Sequence, residues 1–237
     1  MWCRACPQVR SRGNGMKRIL CYGDSNTWGY DPVHSEPDHW MRYDERTRWP
    51  CVMERALGPE YRVLEAGHCG RTTVFSDPQL PFCCGTELLE PVFRMCDPVD
   101  LFILMLGTND TKDFFSASAA TIANGMERLV QTLLMLLPGS LSAQTKLLVV
   151  SPIYITQTAD GSYFYACCTS AAEKKTRALA SLYRQLAERH GCFFFDAAAH
   201  AQPGSTDGMH LEADGHRALG LALADAVQNI FSEDKSI

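Results

Sequence analysis

Lys17-Arg18-Ile19-Leu20-Cys21-Tyr22-Gly23-Asp24-Ser25-Asn26 is a short apolar run, rich in branched and aromatic side chains, that ends abruptly in a turn sequence. The run is too short for a helix and reads as a buried strand over Lys17–Gly23. Runs of the same kind follow at Tyr61–Glu65, Val99–Leu106, Lys146–Ser151 and Cys192–Asp196. Between and after them the spacing becomes helical: Ile122, Met126, Leu129, Leu133 and Leu137 share one face, as do Leu179, Leu182 and Leu186. Ser170-x-x-Glu173 is a capping-box start for a helix to about Arg189, with Gly191 as its stop, and a last helix is predicted from about Glu212 to Phe231. This alternation implies right-handed crossovers and an α/β fold with a parallel sheet covered on both faces. Ligands of such sheets bind beyond the carboxyl ends of the strands, so the loops leaving those ends are where chemistry is expected.

Composition narrows the function classes. With 237 residues, 46% hydrophobic and 21% charged, the chain suits a globular domain able to bury most of its apolar surface. One domain over residues 16–237 is expected, with residues 1–15 a disordered N-terminal extension: they carry Arg4, Arg10 and Arg12 and no acid, but not the apolar core of a secretory signal. The net charge of −5 offers no field for a polyanion, so no nucleic-acid partner is expected. No apolar run approaches the roughly 18 residues of a membrane span, so no membrane association is expected either. The 11 cysteines, odd in number and adjacent at Cys83/Cys84 and Cys167/Cys168, suit no disulfide framework and point to a cytoplasmic setting. Cys3 and Cys6 form a lone CxxC, which binds metal only with two further ligands, so no metal site is assigned.

Four loops carry candidate chemistry. Gly23-Asp24-Ser25-Asn26 stands where the first strand ends, where a serine can present its hydroxyl and its own N–H to a bound carbonyl. Gly-Asp-Ser is equally an ordinary turn. Of the seven histidines, His210 has the right companion: Asp207-Gly208-Met209-His210 follows the last strand, and a carboxylate three residues upstream can accept the imidazole Nδ1–H and aim Nε2 outward. His216, with Asp214 two residues before it, reads as a surface or structural residue. Gly70 in Gly67-His68-Cys69-Gly70-Arg71-Thr72 and Asn109 in Gly107-Thr108-Asn109-Asp110 can each supply a donor to an oxyanion, and each can equally be a plain loop residue.

Taken together in their chain order, Gly23–Asn26, the Gly70 segment, Gly107–Asp110 and Asp207–His210 resemble the SGNH (GDSL-type) hydrolases over about Met16 to Ile230. The stretches from Arg18 to Gly29, Arg71-Thr72-Thr73 and Met105 to Lys112 are similar to their aryl-esterase/acyltransferase (perhydrolase) branch. The resemblance implies a three-layer flavodoxin-like fold with a five-stranded parallel sheet in the order 2-1-3-4-5. It further implies Ser25 as nucleophile, His210 as base, Asp207 as its orienting acid, and Ser25, Gly70 and Asn109 as the oxyanion hole. It implies no cofactor, a small ester substrate with short acyl groups, and homo-oligomers formed through the long loops. Asn26 departs from the leucine of the family's name motif, and the 163–169 segment is cysteine-rich where relatives place bulky apolar residues. By position, Trp28, Tyr30 and Tyr165 line the substrate pocket, whose walls are the long loops Tyr30–Trp49 and Thr156–Thr169. Acyl transfer to water or an alcohol is the leading activity; the rivals are a carbohydrate O-deacetylase using the same residues and a non-catalytic flavodoxin-like binding module.

Overall fold

The computed structural model describes residues 15–36, 38–141, 144–156 and 170–232. Five strands, β1 (Lys17–Gly23), β2 (Tyr61–Gly67), β3 (Leu101–Met105), β4 (Lys146–Ser151) and β5 (Phe193–Asp196), form one parallel sheet in the order β2-β1-β3-β4-β5. The helices are α1 (Ser25–Trp28), α2 (Trp49–Leu57), α3 (Gly85–Cys96), α4 (Ala119–Leu136), α5 (Ser170–His190) and α6 (Ala213–Ser232). The expected α/β architecture and strand order are both present.

Successive residues of a strand point to opposite faces, and the sequence supplies apolar side chains for both. Ile19, Cys21, Ile103, Met105, Leu148 and Val150 enter one core with Trp49 and Met53 of α2 and Leu219, Leu223 and Val227 of α6. Leu20, Tyr22, Phe102, Leu104, Leu147 and Val149 enter the other with Leu89 and Phe93 of α3, Ile122 to Leu133 of α4, and Leu179, Tyr183 and Leu186 of α5. Three layers follow directly from that division.

Some element bounds differ from expectation. β2 continues to Gly67 because Ala66 and Gly67 pair with Tyr22 and Gly23, a partnership no local pattern reveals. β3 is shorter than predicted, Leu101–Met105, since the ladder ends where Leu106 and Gly107 turn away from it. Leu137 lies past the end of α4 in a 3₁₀ turn, Leu137–Gly139. Helices α2 and α3 carry weak local signals: α2 has nine residues and no side-chain cap at Arg48, and α3 contains Pro91. Tertiary contacts stabilise both. The α2 start is capped from afar by His216 of α6, whose Nδ1 accepts the Trp49 N–H at 3.3 Å.

Because β1 lies between β2 and β3, the chain leaves the sheet in opposite directions on its two sides, and in such sheets ligands bind at the carboxyl ends of the strands beside this switch point. The loop over 30–48 is anchored beside it. Arg48 reaches Glu65 of β2 through two bonds of 2.8 Å, and its Nη1 donates to the Tyr43 carbonyl. Tyr165 and most of the 156–169 loop, like Cys3, Cys6, Cys167 and Cys168, lie outside the described residues.

Candidate active site

The turn after β1 puts Ser25 at the first position of α1. Asp24 caps it, accepting the Asn26 N–H at 3.0 Å, and Gly29 ends it with φ +90°. Only glycine fits at position 23, because a Cβ there meets Thr27 Oγ1 at 2.0 Å and the Met105 carbonyl at 3.0 Å. The serine is therefore held close against the ends of β1 and β3. Its hydroxyl lies 2.8 Å from Nε2 of His210, 185 residues away in the chain.

Asp207 organises the loop that delivers this histidine. Its Oδ1 accepts the N–H groups of Met209 and His210, each at 2.9 Å, and its Oδ2 lies 2.6 Å from His210 Nδ1. Both side chains are almost fully buried, at 6% and 3% exposure, so little water competes for the pair. Burial pushes the Asp207 carboxyl up, but the His210 bond and the two backbone donors outweigh it and hold the group below its ordinary value. The Tyr30 ring packs on the imidazole with centroids 4.4 Å apart.

The Gly70 and Asn109 loops meet through Arg71. The Asn109 side-chain Nδ2 donates to the Arg71 carbonyl at 3.1 Å, which engages one of its two N–H bonds. Gly70 adopts φ +79°, and a Cβ there meets Leu80 Cδ1 at 2.6 Å and Cys83 Sγ at 3.1 Å. The Arg71 guanidinium is buried, donating to the carbonyls of Gly23 and Ala66 and lying 4.0 Å over the Tyr22 ring. It thus fastens the serine turn to the end of β2. Asp110 bonds the Thr73 N–H and hydroxyl, joining the same two loops on their inner side. Burial raises the carboxyls of Asp24 and Asp110, each to about 6.

The structure thus brings Ser25, Asp207 and His210 into one hydrogen-bonded chain, sets Gly70 and Asn109 on adjoining loops, and packs Tyr30 on the histidine. Trp28 stands differently: its ring meets the Arg42 guanidinium at 5.3 Å, and its carbonyl accepts from Arg42 Nε at 2.6 Å. Of its two expected roles, His216 takes the structural one. It is fully buried at the start of α2, where burial drives its pKa down to about 3 and keeps the ring neutral. Sequence reasoning missed the roles of Arg71 and Asn26. The Asn26 amide donates to the Met209 carbonyl at 3.3 Å and accepts the Leu211 N–H at 2.8 Å. A polar residue where the family motif has leucine was the available signal. Among the described residues no group of three metal-ligating side chains could hold a metal ion, and no helix is long and apolar enough to cross a membrane.

The model of the GDSL-like Lipase/Acylhydrolase family matches residues 21–218, a span that contains all of these groups. The chain belongs to that family. Membership makes it an acylhydrolase, an enzyme acting on esters. Among solved structures it is similar to an aryl esterase of M. smegmatis, with 37% identity, a TM-score of 0.83, and coverage of 90% of this chain and 99% of that one. It is also similar to a carbohydrate acetylesterase from Sinorhizobium meliloti, with 35% identity, a TM-score of 0.85 and the same coverage. A lipase/acylhydrolase from Enterococcus faecalis, at 17% identity, a TM-score of 0.63, and coverage of 90% of this chain and 96% of that one, shares the fold. The comparison with curated proteins finds no match. The expected SGNH membership and aryl-esterase likeness are borne out.

Proposed function

We propose that the protein is a cytoplasmic serine esterase for small esters that works through an acyl-enzyme on Ser25. The observation that carries this reading is the unbroken chain from Asp207 Oδ2 through the His210 ring to Ser25 Oγ, with separations of 2.6 and 2.8 Å. In the first step Ser25 Oγ bonds to the ester carbonyl carbon while its proton passes to Nε2 of His210. The carbon–oxygen bond to the alcohol then breaks, and the alcohol leaves with that proton. In the second step water gives its proton to Nε2 and attacks the acyl carbon, and Ser25 recovers a proton as the acid departs. An alcohol in place of water turns the same step into acyl transfer. Asp207 holds Nδ1–H so that Nε2 is free to accept. The oxyanion of each tetrahedral intermediate is stabilised by the N–H groups of Ser25 and Gly70 and by Asn109 Nδ2.

Substrate class rests on likeness. Two neighbours above 30% identity are an aryl esterase and a carbohydrate acetylesterase, both cleaving esters, which supports short acyl groups on either an aromatic or a sugar alcohol. The test is a chain-length series of p-nitrophenyl esters, with and without added alcohol, beside a panel of acetylated sugars. Highest kcat/KM on acetyl to butyryl esters is expected. A preference for long acyl chains, or no turnover of any ester, overturns the reading; faster release of acetate from sugars assigns the carbohydrate deacetylase alternative.

A further inference from the structure

We propose that Asn26 is a positioning residue that sets His210 at bonding distance from Ser25. The inference rests on the catalytic reading above, and its observation is the pair of bonds from one buried amide to the residues on either side of the histidine. Asn26 Nδ2 donates to the Met209 carbonyl at 3.3 Å, and Asn26 Oδ1 accepts the Leu211 N–H at 2.8 Å. The residue is 4% exposed and both bonds are buried, so neither partner has water as a ready substitute.

The need for such a device follows from the chain's layout. Asp207 lies three residues before His210 on the same loop, so it orients the ring within that loop without placing the loop against Ser25. Ser25 belongs to the turn after β1, and its partner arrives from the other end of the sequence. A nucleophile and its base must stand within about 2.6–3.2 Å, and a misplacement of about 1 Å costs on the order of 10² in rate. Asn26 is covalently next to the nucleophile, and Asp24 fixes its own backbone N–H at 3.0 Å. Its amide therefore ties the serine turn to the backbone on either side of the histidine. The task requires a donor and an acceptor on one short side chain, which asparagine carries and leucine does not.

The test uses the full-length protein with Asn26→Leu, which removes both bonds, and Asn26→Asp, which keeps an acceptor for Leu211 and loses the donor to Met209. Both are assayed well below their unfolding temperatures for kcat and KM on p-nitrophenyl acetate and for the rate at which a fluorophosphonate labels Ser25. Both variants should lose kcat and labelling rate in parallel, N26L by about 10- to 100-fold and N26D by less, with KM within about twofold. If N26L does not fold, N26D is read by the same criteria. Because Asn26 and Asp207 both fix the short segment that carries His210, N26L should cost less in an Asp207→Asn background than in the wild type. A folded variant with wild-type kcat and labelling, a loss confined to KM, or fully multiplicative losses with D207N overturns the inference. Inactive Ser25→Ala and His210→Ala beside a wild-type-like N26L would sink this inference alone, whereas activity surviving in those two variants would remove the catalytic reading beneath it.

Discussion

Replacing Asp207 by asparagine changes one oxygen to NH₂, and the loop itself dictates which way the amide must point. Oδ1 accepts the Met209 and His210 N–H groups at 2.9 Å, so the carboxamide oxygen must stay there or leave two buried donors unpaired. The NH₂ group then faces His210 Nδ1, where Oδ2 stands at 2.6 Å in the wild type. A donor in that place makes Nδ1 the acceptor and moves the ring proton to Nε2, which then donates to Ser25 and can no longer take its proton. The expected loss is about 10⁴-fold in kcat, the usual size for a wrong tautomer in a Ser-His-Asp unit, or about 5 kcal/mol of transition-state stabilisation. Folding should survive, because both backbone donors keep their acceptor. Steady-state kinetics on p-nitrophenyl acetate reads the loss, thermal unfolding confirms the fold, and ¹⁵N chemical shifts of the His210 ring report the tautomer. A D207N protein within about tenfold of wild-type kcat, or one with the proton still on Nδ1, would refute the reasoning.

Ser25→Ala and His210→Ala should each remove nearly all esterase activity, and the double variant should be little worse than either, since one unit fails as a whole; multiplicative losses in the assay would separate the two roles. Asn109→Ala should lower kcat by about 10²–10³ with KM little changed, as for loss of one oxyanion donor, and a change in KM alone would reassign it to ground-state binding. The contribution of Asp24 and Asp110 to stability should fall as pH rises from about 4 to about 6, because the folded state holds their protons, with values raised to about 6, more tightly than the unfolded chain does. Buried His216, driven down to about 3, acts in the opposite direction over the same range. The carboxyl contribution is fully present below the unfolded carboxylate range of about 4, and each carboxyl accounts for on the order of 2–3 kcal/mol by pH 7. Asp110→Asn, which keeps an acceptor for Thr73, should remove that group's share of the slope in urea unfolding between pH 4 and 7; an unchanged slope would exonerate this carboxyl.

The strands and the outer helices were legible in the sequence because each writes a local pattern: apolar runs such as Lys17–Gly23 and the helical spacing of Ile122, Met126, Leu129 and Leu133. The order of the four functional loops was legible too, since turn residues at the ends of strands are also local. The Asp207–His210 pair could be proposed from a spacing of three, and the structure brings its two side chains into contact. Contacts between distant segments were not legible. No pattern near Trp49 reveals that His216 caps its helix, and nothing around Arg71 reveals that its guanidinium holds the Gly23 carbonyl. Asn26 shows the division most sharply. As a letter it is a departure from a motif; its amide bonds the backbone on both sides of His210 only because the crossovers bring β1 and the last loop to the same end of the sheet. Local sequence sets which backbone and side-chain groups each segment offers, and the packing of the three layers decides which of them lie within the 3 Å over which a hydrogen bond acts.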